Sequence, residues 1–106
     1  MSSLLVERHD SVLHLTLNRP ERSNALTTDM LARLLEAVST ARSNGARAIL
    51  LTGAGRNFCS GAETGVVASP AERDEFVEHS WAALTALADA PLPVVGALNG
   101  PAVAGG

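Results

Sequence analysis

Two short apolar runs, each followed by a turn that contains polar residues and glycine, limit what this chain can fold into. The runs span residues 46–51 and 94–98, and a helical pattern lies between them. A strand, a helix and a second strand in this order predict a parallel pair joined by a right-handed crossover. The unalternating first run is typical of a strand buried on both faces. We therefore predict an α/β fold in which the turns 56–63 and 99–106 face one pocket.

The N-terminal part of the chain predicts a β-hairpin followed by a helix. Residues 4–8 and 12–17 are β-prone and are separated by a short polar turn. The helix begins at Thr27 or Thr28 and ends at Gly45, which can adopt a left-handed cap. Apolar residues at three- and four-residue steps predict the buried face of this helix: Met30, Leu31, Leu34, Leu35, Val38 and Ala41.

A second helix is predicted between the two apolar runs, and its start is marked by three residues. Ser69 is the expected N-cap, Pro70 occupies the first helical position, and Glu72 completes a capping box. Pro91 and Pro93 end the helix before the last strand. The same helical spacing predicts that its buried residues are Phe76, Val77, Trp81, Leu84, Leu87 and Ala88.

Composition and charge exclude several classes of function. The net charge is −3 and the eight basic residues, all of them arginine, are scattered, so we expect no nucleic-acid partner. No apolar run approaches the roughly 20 residues that span a bilayer, and the N-terminus lacks a signal-peptide pattern. We therefore expect a soluble, cytoplasmic protein without a membrane partner. The single Cys59 cannot form an intrachain disulfide, and no spacing of histidine or cysteine indicates a metal site.

Three sequence blocks resemble, in their order and spacing, the crotonase (enoyl-CoA hydratase/isomerase) superfamily. They are residues 17–26 (LNRPERSNAL), 58–63 (FCSGAE) and 99–106 (NGPAVAGG). The resemblance extends over essentially the whole chain, and it implies a crotonase-like β/β/α spiral. Because domains of this family are longer, residues 1–106 would be the N-terminal part of one. The expected order is hairpin, helix, strand, oxyanion loop, helix, strand and the start of a second oxyanion loop.

The resemblance also implies a function and a set of site residues. The expected partner is an acyl-CoA thioester, whose enolate is stabilised by the backbone N–H groups of Ala62 and Gly105. The expected reaction is hydration of a 2-enoyl-CoA in fatty-acid metabolism. No cofactor is implied, since coenzyme A is part of the substrate, and the full-length protein would form a homotrimer or a dimer of trimers. The residues that the resemblance assigns to substrate binding are Arg22, Ser23, Ala25, Ser60 and Gly61.

Several roles stay open at this point. Arg22 could meet a CoA phosphate or be a solvated arginine. Glu63 stands where the family more often has aspartate, and Cys59 lacks a partner that would activate it, so small buried filler is the better interpretation. Hydratase and isomerase cannot be separated, because the family's acid and base carboxylates would lie beyond Gly106.

A function from another class also fits these residues. The chain could be a non-catalytic acyl-CoA-binding or assembly module, with 106 residues as the whole product. Such a module would expose apolar helix faces for a partner to cover. If the chain is instead one part of an enzyme, we expect it to be inactive alone.

Overall fold

The computed structural model describes residues 2–61, 69–102 and 106 and has the predicted α/β character. Within those residues, no helix is long and apolar enough to cross a membrane. In chain order the elements are β1 (Leu4–His9), β2 (Val12–Leu17), a short 3₁₀ helix (Pro20–Arg22), α1 (Thr28–Ala41), β3 (Ala48–Gly53), α2 (Pro70–Ala88) and β4 (Val94–Ala97).

The four strands form one sheet in the order β1-β2-β3-β4. β1 and β2 pair antiparallel, which confirms the hairpin, whereas β2–β3 and β3–β4 pair parallel. The unit β3-α2-β4 is therefore the predicted crossover. Because β2, β3 and β4 run in the same direction, the loops that follow them leave from one edge of the sheet.

Helix α1 begins as the sequence predicts, but it ends at Ala41, four residues before the predicted cap at Gly45. The Thr27 hydroxyl oxygen accepts a hydrogen bond from the Met30 N–H at 3.2 Å. The chain turns at Gly45, where φ is 92°. The helix lies against the sheet, and the residues that it buries are Met30, Leu31, Leu34, Val38 and Ala41, with Leu35 partly buried beside them.

Strand β3 begins two residues later than predicted. The Ala46 N–H donates to the Ala41 carbonyl at the end of α1, and the Arg47 N–H donates to the Ser11 carbonyl in the hairpin turn. These two residues therefore complete the connection from α1, and regular pairing starts at Ala48. Ile49 is buried, but the next residues of β3 are only partly covered. The prediction of a strand buried on both faces was thus too strong.

Helix α2 begins as predicted, but of its six predicted core residues only Phe76 and Leu87 are partly buried. The Ser69 hydroxyl oxygen accepts from the Glu72 N–H at 3.2 Å, which confirms the N-cap. The exposed fractions of the predicted core residues are 60% for Val77, 75% for Trp81 and 53% for Leu84, and Ala88 is exposed as well.

Ala83 is the fully buried residue of α2, and its position explains the error. Phe76 and Leu87 share the face of Ala83 and are partly buried in the same core cluster, where α2 lies against α1. Successive helical residues are about 100° apart, so Trp81 points almost opposite to Ala83. The helix carries two apolar stripes, and the small Ala83 marks the one that approaches α1.

Candidate functional site

Three loops meet at the edge of the sheet where the parallel strands end. Residues 18–26 follow β2, residues 54–61 follow β3, and residues 98–102 follow β4. The parts of the three resemblance blocks that lie in these loops are residues 18–26, 58–61 and 99–102. The sheet topology therefore brings them together, although they are far apart in the sequence.

Backbone hydrogen bonds join the first loop to the second. The Leu26 N–H donates to the Gly61 carbonyl at 2.7 Å, and the Ser60 N–H donates to the Ser23 carbonyl at 3.1 Å. The Asn57 side-chain amide adds a bond to the Ser23 hydroxyl at 3.2 Å. Three of the predicted substrate-binding residues, Ser23, Ser60 and Gly61, are thus neighbours in the structure.

Asn24 lies where the first and second loops meet, a region that we call the junction, and it is 0% exposed. Its side-chain oxygen accepts from the Arg19 N–H at 2.7 Å. Its side-chain amide donates to the carbonyls of Ala54 and Asn57, each at 2.8 Å. A buried amide with these partners holds both loops in one arrangement, because each loop's backbone would otherwise lose a buried partner.

The second loop also pairs with the third. The carbonyl of Pro101 accepts from the N–H groups of Phe58 and Cys59, at 3.0 and 3.3 Å. Cys59 and Ala102 form a parallel bridge. Parallel pairing therefore resumes beyond the ends of β3 and β4, in a register shifted by two residues from that of the strands, and residues 98–102 run alongside the second loop.

Two glycines allow this close approach. A Cβ on Gly100 would overlap the carbonyl oxygen of Arg56, and a Cβ on Gly106 would overlap the carbonyl oxygen of Cys59. Only a residue without a side chain can bring its backbone this near to a neighbouring loop. Steric exclusion of a side chain therefore explains why these two positions of the third block are glycine.

The side chain of Asn99 spans the same junction. Its oxygen accepts from the Gly53 N–H at 3.1 Å. Its amide donates to the Gly55 carbonyl at 2.8 Å and to the Asn57 carbonyl at 3.3 Å. The Asn57 carbonyl therefore accepts from both Asn24 and Asn99, and it links the three loops.

Comparison with known proteins agrees with this arrangement. The sequence model of the enoyl-CoA hydratase/isomerase family matches residues 7–106. The chain belongs to the enoyl-CoA hydratase/isomerase family. The resemblance seen in the three blocks and the expected crotonase-like fold are thereby confirmed.

Individual members of the enoyl-CoA hydratase/isomerase family show the same similarity. The "Probable enoyl-CoA hydratase echA6" of Mycobacterium bovis is 40% identical over 101 residues, which cover 95% of this chain and 40% of that protein. A crystal structure of a probable enoyl-CoA hydratase/isomerase from Mycobacterium abscessus superposes with a TM-score of 0.85 at 34% identity, covering 99% of this chain and 42% of that one.

A monofunctional enoyl-CoA isomerase from M. smegmatis is also similar, with a TM-score of 0.77 and 35% identity over 97% of this chain and 43% of that one. The chain thus resembles family members named for hydration and for isomerisation. It spans about two fifths of the length of these relatives.

The remaining predicted site residues lie in different places relative to this edge. Ala25 is buried, and its carbonyl accepts from the Arg19 guanidinium at 2.7 Å. Arg22 is exposed at the end of the 3₁₀ helix, next to Ser23. The two predicted oxyanion donors, Ala62 and Gly105, and also Glu63 and Ala104, lie outside the described residues.

Cys59 is a core residue of the second loop. It is 1% exposed, and burial raises the pKa of its thiol because the thiolate would lose its hydration. The Gly61 N–H, 3.4 Å from the sulfur, acts in the opposite direction but less strongly. A buried thiol that keeps its proton is a poor nucleophile, which supports the interpretation as filler.

Sequence reasoning missed Asn24 and Asn99, the two asparagines whose side chains join the three loops. Both lie inside the blocks that carried the resemblance, so their positions were visible but their partners were not. Asn24 has a φ of 57°, a left-handed conformation that asparagine tolerates better than most residues.

Among residues 2–61, 69–102 and 106, no cluster of three histidine, cysteine or acidic side chains could hold a metal ion.

Proposed function

We propose that this protein binds an acyl-CoA thioester and stabilises its enolate with the backbone N–H groups of Ala62 and Gly105. The observation that carries the proposal is the bridge between Cys59 and Ala102. Each proposed donor lies three residues beyond one member of this parallel pair. Two loops that run side by side in this register are well suited to direct two N–H groups toward one oxygen atom.

The chemistry requires such a pair of donors. Removing a proton from the α-carbon, or adding water to the β-carbon, places negative charge on the thioester oxygen. A preorganised N–H donor stabilises that charge by about 3–4 kcal/mol, because it is already aligned when the charge appears. A small residue such as Ala62 also lets the thioester approach the backbone closely.

The proposed CoA-binding surface is the junction of the first two loops. Ser23, Ser60 and Gly61 lie together there, and Arg22 next to them could receive a phosphate of CoA. Ala25 contributes through its backbone, whose carbonyl is already held by Arg19. In this arrangement the CoA moiety lies along residues 22–26 and the thioester extends toward residues 61–62.

The proposed reaction is hydration of a 2-enoyl-CoA, in fatty-acid metabolism. Hydration needs a base that activates water and an acid that protonates the α-carbon. From the family resemblance, we propose that carboxylates outside residues 1–106 serve as this base and acid, and we propose a homotrimer or a dimer of trimers as the assembly. Isomerisation of an enoyl-CoA would use the same donors with a different arrangement of carboxylates.

The donor role of Ala62 can be tested in the intact protein with two substitutions at one position. Ala62→Pro removes the N–H, whereas Ala62→Gly keeps it. We expect the proline variant to lower kcat for crotonyl-CoA about 10²- to 10³-fold, and the glycine variant to stay within tenfold of the wild type. Unchanged turnover in Ala62→Pro would contradict the assignment.

A spectroscopic readout separates binding from enolate stabilisation. Acetoacetyl-CoA is a 3-ketoacyl thioester whose enolate absorbs in the near ultraviolet. The wild-type protein and Ala62→Gly should increase this absorbance, and Ala62→Pro should bind CoA without increasing it. If the wild-type protein binds neither acetoacetyl-CoA nor CoA, the proposed function is wrong.

One observation favours the non-catalytic module as a second candidate. Val77, Trp81 and Leu84 form an exposed apolar stripe on α2, as expected of a surface that a partner covers. The two candidates differ in turnover: a module would bind acyl-CoA tightly and leave crotonyl-CoA unchanged, whereas an enzyme would hydrate or isomerise an enoyl-CoA.

A further inference from the structure

We infer that Asn99 is a positioning residue that sets the distance between the two donor-bearing loops, an inference that rests on the proposed function. Neither atom of its side-chain amide is proposed to touch the thioester. It acts through the backbone of residues 53–57, which leads into the loop that carries Ala62. The predicted consequence of losing it is therefore slower turnover at nearly unchanged binding of CoA.

The first step of the argument is the pattern of bonds that Asn99 makes. Asn99 is the second residue after β4, and its side chain bonds to the end of β3 and to the loop that follows it. Its backbone partners are the N–H of Gly53 and the carbonyls of Gly55 and Asn57, at 3.1, 2.8 and 3.3 Å, and the Thr52 hydroxyl donates to the same Asn99 oxygen at 3.4 Å. One side chain thus holds both an N–H and two carbonyls of the neighbouring loop. Such a set of bonds fixes the loop in position and in orientation.

The second step is the shared acceptor. The Asn57 carbonyl also accepts from the buried Asn24 at 2.8 Å. Asn24 belongs to the loop that we assign to CoA binding, and Asn99 belongs to the loop that carries the second donor. The Asn57 carbonyl therefore couples the CoA-binding loop to both donor loops.

The third step concerns what remains when Asn99 is replaced. Asn99 is an exposed residue, and the third loop keeps its backbone bonds from Phe58 and Cys59 to the Pro101 carbonyl. The bridge from Cys59 to Ala102 also involves only backbone. A variant should therefore fold, but with a looser register between the loops. A displacement of about 1 Å at a reacting centre can lower a rate about 100-fold.

The test compares three variants of the intact protein. Asn99→Ala removes the acceptor and the donors, and Asn99→Asp keeps an acceptor for Gly53 but places a carboxylate against two carbonyl oxygens. Asn44→Ala removes an exposed asparagine after α1, away from the junction, and is the matched control. For each protein, kcat and KM for crotonyl-CoA, the enolate absorbance of acetoacetyl-CoA and the Kd of CoA are measured.

We expect both Asn99 variants to lower kcat about 10- to 100-fold and to weaken the enolate absorbance. KM and the Kd of CoA should change less than threefold, and Asn44→Ala should match the wild type. Wild-type kcat and enolate absorbance in Asn99→Ala would overturn the inference, as would an equal loss of CoA binding.

The outcomes separate this inference from the function on which it rests. A wild-type protein that neither binds nor turns over acyl-CoA overturns the proposed function and the inference together. An active wild type with fully active Asn99 variants overturns the inference alone, and leaves Ala62 and Gly105 as candidate donors.

Discussion

The buried side chain of Asn24 supports the sharpest stability prediction. Asn24→Ala removes three hydrogen bonds, to the Arg19 N–H at 2.7 Å and to the carbonyls of Ala54 and Asn57 at 2.8 Å. The residue is 0% exposed, so solvent water has little access to the backbone groups that are left. No other side chain of the described junction can replace this amide, since Asn57 and Asn99 are already engaged with other partners.

The expected cost follows from these contacts. Each lost hydrogen bond contributes about 1 kcal/mol net, and more where a buried partner stays unsatisfied. Asn24 also has a φ of 57°, and alanine in a left-handed conformation costs about 1 kcal/mol. Together, Asn24→Ala should lower the free energy of unfolding by about 4 kcal/mol, a large fraction of the stability of a typical domain.

Urea denaturation of the intact protein measures this change. The midpoint should fall while the dependence on urea stays the same, because the compactness of the folded and unfolded states is not altered. Asn44→Ala is again the control, and it should change the free energy of unfolding by less than about 0.5 kcal/mol. A loss of less than about 1 kcal/mol in Asn24→Ala would refute the argument that this amide holds the loops together.

Three further predictions concern the helices and the thiol. Leu34→Ala in the core face of α1 should lower the free energy of unfolding by about 2–5 kcal/mol. Leu84 is 53% exposed on α2, so Leu84→Ala should lower it by less than about 0.5 kcal/mol in a monomeric sample. Equal losses for the two variants in urea denaturation would contradict the observed orientation of α2. Cys59 should react with iodoacetamide far more slowly in the folded protein than in urea at neutral pH, and fast labelling of the folded form would show that the thiol is accessible. Burial raises the pKa of this thiol from its ordinary value of 9.0, so folding favours the protonated thiol. The stability of the folded protein should therefore be unaffected by this thiol's ionisation below pH 9.0 and should decline as the pH rises above it.

Local patterns in the sequence were sufficient for the elements and for the family. The Thr27 and Ser69 caps were predicted from residue type and spacing, and both hydroxyl oxygens accept the expected N–H. The order of strand, helix and strand predicted the parallel crossover, and the three loop blocks predicted membership of the enoyl-CoA hydratase/isomerase family. These features depend on residues close together in the chain, and so a single sequence contains them.

Other features were decided by the tertiary structure. The face that α2 buries depends on how closely Ala83 can approach α1, and the helix's own periodicity contains two apolar stripes that do not distinguish between faces. The start of β3 also depends on a tertiary contact. The Arg47 N–H donates to the Ser11 carbonyl in the hairpin turn, and regular strand pairing begins only after this residue.

The junction of the three loops is the clearest case. The residue names of Asn24 and Asn99 were available in the sequence, but their partners in the neighbouring loop and strand lie 30 to 46 residues away along the chain. A hydrogen bond over that distance exists only when the sheet has brought the strand ends to one edge. The sequence by itself therefore determined which chemical groups are present, and the path of the folded chain decided which of them meet.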